Sequence, residues 1–294
     1  MSMRAIVLGL AAAAALALPA QAASDWNAVG QALGKSGSVQ AGGVYRVGLP
    51  RSDLKVTLDG VAIKPSLALG SWVAFRDMDG GAMVMGDLVL TQSEVNPVMA
   101  VLEANNIQIT ALHNHLLRST PATMYMHIDG HGDAVKLATA IHAALAKSQT
   151  PLGASPPPGP AAPLALDTAR IDQILGAKGA VNGGVLQYGI ARAEAPKAHG
   201  MAIPSPMGSA IGINFQPTGG GKAAITGDFV LAADEVNPVI KALQANGIEV
   251  TAIHNHMLDD EPRMFFMHFW ANADAVKLAT GLRQALDRVR VAGR

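Results

Sequence analysis

Residues 107–128 read IQITALHNHLLRSTPATMYMHI, and residues 248–269 read IEVTAIHNHMLDDEPRMFFMHF. These stretches belong to longer segments, residues 86–145 and residues 227–286, which align without a gap and are identical at 31 of 60 positions. A repeat of this length is typical of homologous units that fold in the same way. The sequence therefore predicts two tandem domains, and each copy shows which residues the other has retained.

Proline and glycine are concentrated in the segment between the two copies, where residues 151–160 read PLGASPPPGP. Proline at this density fits neither a helix nor a central strand, and is typical of an extended, semi-rigid linker. The sequence thus predicts four segments: 1–22 as a signal peptide, 23–148 as the first repeat, 149–166 as a proline-rich linker and 167–294 as the second repeat.

The first 22 residues have the pattern of an export signal. Arg4 precedes an apolar run over residues 5–18, and residues 20–22 read AQA, which fits a small-x-small cleavage site. The apolar run is shorter than the ~20 residues that a spanning helix needs. We expect cleavage near Ala22, no transmembrane segment in the mature protein, and a periplasmic or secreted location.

Composition excludes several classes of protein. The chain has 294 residues, 22 Lys+Arg against 22 Asp+Glu, nine His and no Cys. Without cysteine there can be no disulfide scaffold, iron–sulfur centre or thiol catalysis. Zero net charge argues against a nucleic-acid partner, which would require a basic surface. Half of the residues are apolar, enough to build a globular core.

Helix signals recur at matching places in the two copies. A short helix is predicted over Trp26–Leu33, and its second copy over Ala169–Leu175. Ser93 and Asp234 are predicted as N-caps of the next helix, because each precedes the sequence Glu-Val-Asn-Pro. A further helix is predicted to start at Asp133, where apolar residues follow a 3.6-residue period.

Two strand-like runs, Ile107–Leu117 and Ala122–Ile128, lie between these helices, and we expect a hairpin centred near Thr120. The resulting order of elements is β-α-β-β-α. This order predicts an α+β fold of two tandem homologous repeats, each an antiparallel sheet with helices packed on one face.

Histidines are the main chemical feature of the sequence. Each repeat contains His-Asn-His and a further histidine twelve residues later, which makes two triplets: His113, His115 and His127, and His254, His256 and His268. Residues two apart on a strand share a face, and the expected hairpin places residue 113 opposite residue 127. The sequence therefore predicts that each triplet holds a divalent ion and leaves a fourth position open, with zinc as the first choice and copper as the second.

A structural interpretation is the alternative. Ile107, Ile109 and Ala111 precede the first pair on the same predicted face, so the histidines would form a hydrogen-bonded polar network in the core. Neutral imidazoles packed together gain nothing over leucine unless a cation or a polar network organises them. Convergence of three histidines in both copies therefore favours the metal.

Two glutamates are the candidates for a catalytic carboxylate. Glu94 and Glu235 lie near helix N-termini in the two copies. Either can complete a coordination shell, orient an imidazole or act as a base toward a bound water. The alternative is that they only complement the helix dipole, which contributes ~0.3–1 kcal/mol.

Three histidines have no histidine counterpart. His131 aligns with an asparagine and His142 with an arginine, so neither belongs to a site that both repeats share. His199 aligns with Asp59, and a residue in this turn can add a ligand in either copy.

The paired Glu-Val-Asn-Pro and His-Asn-His blocks, with the strand Pro-x-x-x-x-Met-His downstream, resemble the LppY/LpqO-type family of bacterial secreted proteins. The resemblance covers nearly the whole mature chain and implies an exported protein built on a tandem domain of unknown function. It implies no catalytic residue. Some relatives resemble lipoproteins, whereas this chain lacks the cysteine that would carry a lipid.

Three functions are compatible with the sequence, which leaves open whether the protein is an enzyme. The first is the binding of a divalent ion by the histidine triplets in an exported, soluble protein. The second is a metal-dependent hydrolase that uses an ion-bound water. The third is a metal-free module that binds a small-molecule or cell-envelope ligand. In each case we expect the two repeats to pack as an internal pseudo-dimer.

Overall fold

A computed structural model describes residues 23–153 and 163–293. The predicted signal peptide, residues 1–22, lies outside the described residues, and so does the central part of the predicted linker, residues 154–162. Within the described ranges the chain forms two repeats whose six-stranded sheets have the same strand order.

The first repeat is a six-stranded antiparallel sheet with helices before, within and after it. Its helices are α1 (Trp26–Leu33), α2 (Pro65–Ala68), α3 (Gln92–Ala104) and α4 (Ala134–Leu145). Its strands are β1 (Ser38–Gln40), β2 (Val44–Pro50), β3 (Thr57–Leu58), β4 (Val61–Ala62), β5 (Gly70–Met78), β6 (Gly81–Thr91), β7 (Gln108–His113) and β8 (Thr123–Gly132). The sheet order is β1-β2-β5-β6-β8-β7, and β3 pairs with β4 separately.

The second repeat has the same sheet order. Its helices are α5 (Thr168–Leu175), α6 (Ala233–Ala245) and α7 (Ala275–Leu286). Its strands are β9 (Ala180–Asn182), β10 (Val185–Ile190), β11 (Lys197–Ala198), β12 (Met201–Ala202), β13 (Ile211–Gly219), β14 (Lys222–Leu231), β15 (Glu249–His254), β16 (Asp260–Glu261) and β17 (Phe265–Asp274). The large sheet runs β9-β10-β13-β14-β17-β15, and β12-β11-β16 form a small sheet.

Helix ends follow local capping chemistry. The predicted bounds of α1 are confirmed, with Asp25 as N-cap, and Asp133 caps α4 as predicted. Ser93 is wrong as the N-cap of α3, because the helix starts two residues earlier, after Thr91. The reason is Glu94, whose carboxylate accepts a 2.8 Å hydrogen bond from the Thr91 N–H and thereby closes the first turn from that residue.

The same correction applies to the second repeat. Asp234 is not the N-cap of α6, because the helix begins after Ala232. Glu235 accepts the Ala232 N–H at 2.8 Å, in the same way as Glu94 does in α3. In both α3 and α6, a glutamate at the third position of the helix therefore accepts the backbone N–H of the N-cap residue.

The hairpin of the first repeat has a different register from the predicted one. His127 pairs with Ala111, and His113 pairs with Tyr125, so the predicted pairing of residue 113 with residue 127 is wrong by two positions. A bulge between Ile109 and Ala111 shifts the alternation of faces. Ile109 consequently packs with the apolar core, whereas Ala111 and His113 share the face of His127.

The strand prediction Ile107–Leu117 is too long, because β7 ends at His113. The chain then leaves the ladder, and Thr120 pairs with Thr57 instead. In the second repeat the corresponding bulge lies just before Ala252, which pairs with His268. In each repeat a bulge therefore places the last residue of the strand, His113 or His254, on the same face as the histidine of the neighbouring strand, His127 or His268.

Alternate residues of the central strands belong to different apolar clusters. Along β6, Val84 and Leu88 pack in a cluster that includes Leu102 of α3. Met83 and Met85, which point to the other face, belong to a cluster that consists mostly of residues from the second repeat. The two repeats are therefore in contact through the sheet faces that carry the paired histidines.

Polar contacts also join the repeats. The Lys64 N–H donates to Gln216 at 2.9 Å, and the Thr251 hydroxyl donates to the backbone oxygen of His115 at 2.6 Å. Arg118 forms an ion pair with Glu249 at 2.7 Å. These bonds fix the relative position of the two His-Asn-His segments.

The ends of the repeats extend past the last helices. In the first repeat the Gln149 N–H donates to Glu94 at 2.7 Å, and in the second the Arg290 N–H donates to Glu235 at 2.9 Å. Residues 149–153, which the sequence assigns to the linker, are thus held against the first repeat, where the Gly153 N–H also bonds to the Gly34 oxygen at 2.8 Å.

Candidate metal centre

The two histidine triplets meet at the contact between the repeats. His113 and His254 stack with ring centroids 3.4 Å apart, and they are equivalent residues of the two copies. Two further pairs flank them, each with one ring from either repeat: His115 with His268 at 3.5 Å and His127 with His256 at 3.7 Å. The six imidazoles therefore form one cluster rather than two separate triplets.

Two aspartates adjoin the rings, and sequence reasoning missed them. Asp87 Oδ1 lies 3.9 Å from His127 Nε2, because β6 pairs these two residues directly. Asp228 is the equivalent in β14, and its oxygens lie 3.7 Å from His256 Nε2 and 3.8 Å from His268 Nε2. The available signal was the Gly-Asp sequence retained in both copies. We call the six histidines with Asp87 and Asp228 the central cluster.

Eight polar atoms of the central cluster have no hydrogen-bond partner among the described residues. Within the described part of the chain, the Nε2 atoms of all six histidines and the Oδ1 atoms of both aspartates are buried without a hydrogen bond. Buried polar atoms are normally satisfied, because an unpaired one costs ~1–3 kcal/mol. Eight unpaired atoms that face one another indicate a place for a positively charged partner.

Backbone contacts orient some of the rings. His268 Nδ1 donates to the Gly227 carbonyl at 2.8 Å, which leaves Nε2 as the atom with a free lone pair. Gly227 is obligatory there, since a Cβ at this position would lie 2.0 Å from the Gly212 oxygen. A histidine that donates Nδ1–H to a carbonyl and presents Nε2 is in the usual arrangement of a metal ligand.

The possible ligand atoms of the central cluster fall into four groups, of which two combine residues of both repeats. Groups whose atoms all lie within 4.8 Å of one another are His113, His127, His254 and His256; His115, His254 and His268; Asp87, His115 and His127; and Asp228, His256 and His268. None of these four groups consists of the three histidines of one repeat alone. Each is completed by an aspartate or by the other repeat.

Burial favours the neutral form of the histidines and aspartates in the central cluster. It lowers the pKa of His113 to about 4 and, together with the neighbouring His113, the pKa of His254 to about 3. The four remaining imidazoles are more deeply buried, and their pKa values lie well below the usual range. Burial raises the pKa of Asp87 to about 7, against the opposing effect of Arg46. Burial and the Asp87 charge raise the pKa of Asp228.

These pKa shifts predict a pH dependence of the metal-free protein. Between pH 6.5 and 4 the unfolded chain binds protons on histidines that stay neutral in the folded state, so the free energy of unfolding falls as the pH is lowered. The raised pKa values of Asp87 and Asp228 increase the free energy of unfolding as the pH is lowered, but six histidines outweigh these two aspartates. Urea unfolding with a chelator present at pH 7, 5.5 and 4.5 measures this, and unfolding that is independent of pH across the window would contradict it.

The two candidate glutamates lie in buried ion pairs. Glu94 pairs with Arg51 at 2.8 Å, and Glu235 pairs with Arg192 at 2.7 Å. Burial by itself raises the pKa of Glu94, but hydrogen bonds from Arg51 and from two backbone N–H groups outweigh it and hold the pKa below its usual value. Neither glutamate belongs to a possible ligand group among the described residues. Both arginines are buried, and sequence reasoning missed them as partners.

The unmatched histidines lie elsewhere. His142 Nδ1 is 2.9 Å from the Leu33 oxygen at the end of α1. His131 and His199 join Asp129 in a separate group at the edge of the contact between the repeats.

A cavity at the contact between the repeats borders the central cluster. Its volume is about 1180 Å³, and both repeats line it. Asp87, His115 and His127 border it on one side, and their equivalents in the second repeat border it on the other. Arg46 and Trp72 also line it, with the guanidinium 4.0 Å from the indole ring. The cavity is large enough to hold water and a small molecule beside the residues of the central cluster that line it.

A family model described as Domain of Unknown Function (DUF1259) matches the chain twice, over residues 27–147 and 169–288. The chain therefore belongs to this family and contains two copies of its domain. Comparison with the curated proteins gives no match. In the part of the chain that the structure describes, no helix has the length and apolar character needed to cross a membrane.

Two solved structures show weak similarity. One is a trimeric bacterial microcompartment shell protein, PduB, with 14% identity and a TM-score of 0.20, covering 85% of this chain and 89% of that one. The other is EtuB from Clostridium kluyveri, with 8% identity and a TM-score of 0.21, covering 85% and 88%. These scores are too low to indicate a shared fold.

Proposed function

We propose that the protein binds a divalent transition-metal ion in the central cluster. The observation that supports this is the set of eight buried, unpaired atoms, six imidazole nitrogens and two carboxylate oxygens, that face one another. Imidazole with carboxylate suits zinc, and imidazole also suits copper, so zinc is our first choice and copper our second. A metal-free polar network is less favourable, because it leaves these atoms without partners.

We infer that the tandem arrangement creates the site. Helices cover one face of each sheet, and the opposite faces pack together as an internal pseudo-dimer, so equivalent rings approach each other across the contact. Ligand groups that combine both repeats support this. On this proposal one repeat alone would hold at most its own Asp-His-His group.

Metal-dependent hydrolysis is the second candidate, and the cavity of about 1180 Å³ that reaches the central cluster favours it. A bound ion would supply an acidified water there. Asp87 or Asp228 would accept the proton, since both border the cavity and burial raises the pKa of each. Glu94 and Glu235, the bases proposed from the sequence, would then act only to hold their helices and arginines in place.

We also propose export to the periplasm or beyond the cell. The pattern of residues 1–22 and the resemblance to the LppY/LpqO-type secreted proteins support this. An oxidising compartment has no effect on a chain without cysteine.

Metal content tests the proposed function. Untagged protein from cells grown with zinc is expected to contain at least one divalent ion per chain by elemental analysis, and added zinc is expected to raise the melting temperature of chelator-treated protein. No metal and an unchanged melting temperature with both zinc and copper would refute metal binding and favour the metal-free module. Turnover in a panel of ester, amide and phosphoester substrates would distinguish the hydrolase from a binding protein.

A further inference from the structure

A second group of ligand-type side chains lies apart from the central cluster, where β8 of the first repeat meets the β11–β12 turn of the second. Asp129 and His131 are two residues apart on β8 and share a face, and His199 lies in the turn. His199 Nε2 is 3.2 Å from Asp129 Oδ2, and His131 Nδ1 is 3.3 Å from Asp129 Oδ1. We call these three residues the Asp129 corner.

The carboxylate of this corner is buried without a full set of partners. Asp129 is 3% exposed, and its Oδ1 makes no hydrogen bond to any residue that the structure describes. No lysine or arginine forms an ion pair with it within the described ranges; its charged contacts are the two histidines. A buried carboxylate whose ionisable neighbours are two imidazoles has no permanent countercharge.

The equivalent corner, where the turn after β3 in the first repeat meets β17 of the second, contains a positively charged partner. Asp59 takes the place of His199, and Trp270 takes the place of Asp129 and donates its indole N–H to Asp59 at 3.0 Å. Arg118 pairs with Asp59 at 3.0 Å and with Glu249 at 2.7 Å. A single guanidinium therefore forms ion pairs with both carboxylates of that corner.

The residue that aligns with Arg118 is Asp259, so the Asp129 side has no equivalent of this arginine. The two histidines of that side are likewise absent from the other corner, where His131 is replaced by Asn272 and His199 by Asp59. Loss of the cation and gain of two imidazoles thus occur together around one buried carboxylate.

We propose that Asp129, His131 and His199 bind a second divalent transition-metal ion, which links β8 of the first repeat to the β11–β12 turn of the second. One nitrogen from each imidazole and one carboxylate oxygen lie within 4.8 Å of one another, and the two rings are edge to face with centroids 4.4 Å apart. The histidine side chains are 33% and 37% exposed, so water completes the shell. This His₂Asp set with open positions suits zinc, nickel or cobalt.

The test is a titration of chelator-treated, untagged full-length protein with Zn²⁺ by calorimetry and with Co²⁺ by visible absorbance. The variant is His131→Asn with His199→Asn. The first change copies Asn272, and asparagine tolerates the positive φ of 51° at residue 199. His142→Arg, which copies Arg283, is the matched control for loss of a histidine elsewhere. Each titration is repeated in a chain that also carries His113→Ala and His254→Ala.

The double variant is expected to bind one ion fewer per chain than wild type, with unchanged central binding, and His142→Arg is expected to bind as wild type does. In the His113→Ala/His254→Ala chain, the Asp129 corner is expected to retain its ion, which distinguishes this site from the central cluster. Should the double variant fail to fold, the single variants are expected to weaken binding at this site by at least about 10-fold. Unaltered stoichiometry and affinity in these variants would overturn the proposal.

Discussion

Replacing both His113 and His254 by alanine is expected to abolish metal binding by the two all-histidine groups of the central cluster and to leave the fold intact. These two rings stack on each other at 3.4 Å, and His254 contributes to both ligand groups that consist only of histidines. Loss of direct ligands is expected to weaken binding by at least about 100-fold, since even outer-shell changes cost 10–100-fold. Elemental analysis and zinc calorimetry measure this, with the ion of the Asp129 corner counted separately.

The same variant makes a thermodynamic prediction. Zinc at about 100 times its dissociation constant stabilises wild-type protein by about 2.7 kcal/mol, because only the folded chain binds it. In the double variant the stabilisation that comes from the two all-histidine groups is expected to vanish, whereas His142→Arg is expected to retain it. Equal zinc stabilisation of the double variant and wild type would mean that the paired histidines are not ligands.

The stability of the metal-free variant distinguishes metal ligands from a structural histidine network. His113 and His254 are only partly buried, and their Nε2 atoms have no hydrogen-bond partner among the described residues. Replacing these histidines by alanine removes two unpaired Nε2 atoms. The free energy of unfolding of the metal-free variant is therefore expected to lie at most about 1 kcal/mol below that of metal-free wild type. A large loss of stability without metal would instead support a structural histidine network.

The sequence was sufficient to predict the repeat and the histidine triplets, because both depend on patterns that two copies display. The end of α1 and the start of α4 followed from Gly34 and Asp133, whose capping preferences are local. The order of strands and helices around the His-Asn-His sequence followed from turn signals and periodicity in the same way.

Long-range pairing accounts for what the sequence did not reveal. The bulge after Ile109 depends on the ladder with β8, and the position of Asp87 opposite His127 depends on β6 lying next to β8. Neither relation has a local signal. That the triplets meet each other depends on the packing of two sheets, which no pattern within one repeat encodes.

The glutamates illustrate the same limit. Glu94 lies at a helix N-terminus, which suggested either a dipole interaction or a catalytic base. Its partner Arg51 is 43 residues away along the chain and is fully buried. The ion pair was therefore invisible until the structure placed the start of α3 beside the end of β2.

Substituting methionine for Arg51 is expected to cause a large loss of stability. Arg51 is 0% exposed and Glu94 7% exposed, and the guanidinium also donates to the Val89 oxygen at 2.7 Å. Removing one member of a buried ion pair leaves the other charge uncompensated, which costs about 3–5 kcal/mol. Urea unfolding is the measurement, and a loss below about 1 kcal/mol, as surface pairs show, would contradict it.

Combining Arg51→Met with Glu94→Gln separates a structural glutamate from a catalytic one. The second change removes the buried charge, while the amide oxygen still accepts the Thr91 N–H, so the double variant is expected to recover part of the lost stability. Metal content is expected to equal that of wild type in Glu94→Gln, because the carboxylate belongs to no ligand group of the described chain. Loss of metal or of turnover in Glu94→Gln at unchanged stability would instead place Glu94 in the active centre. Glu235→Gln with Arg192→Met repeats the test in the second copy, where the equivalent pair lies 2.7 Å apart.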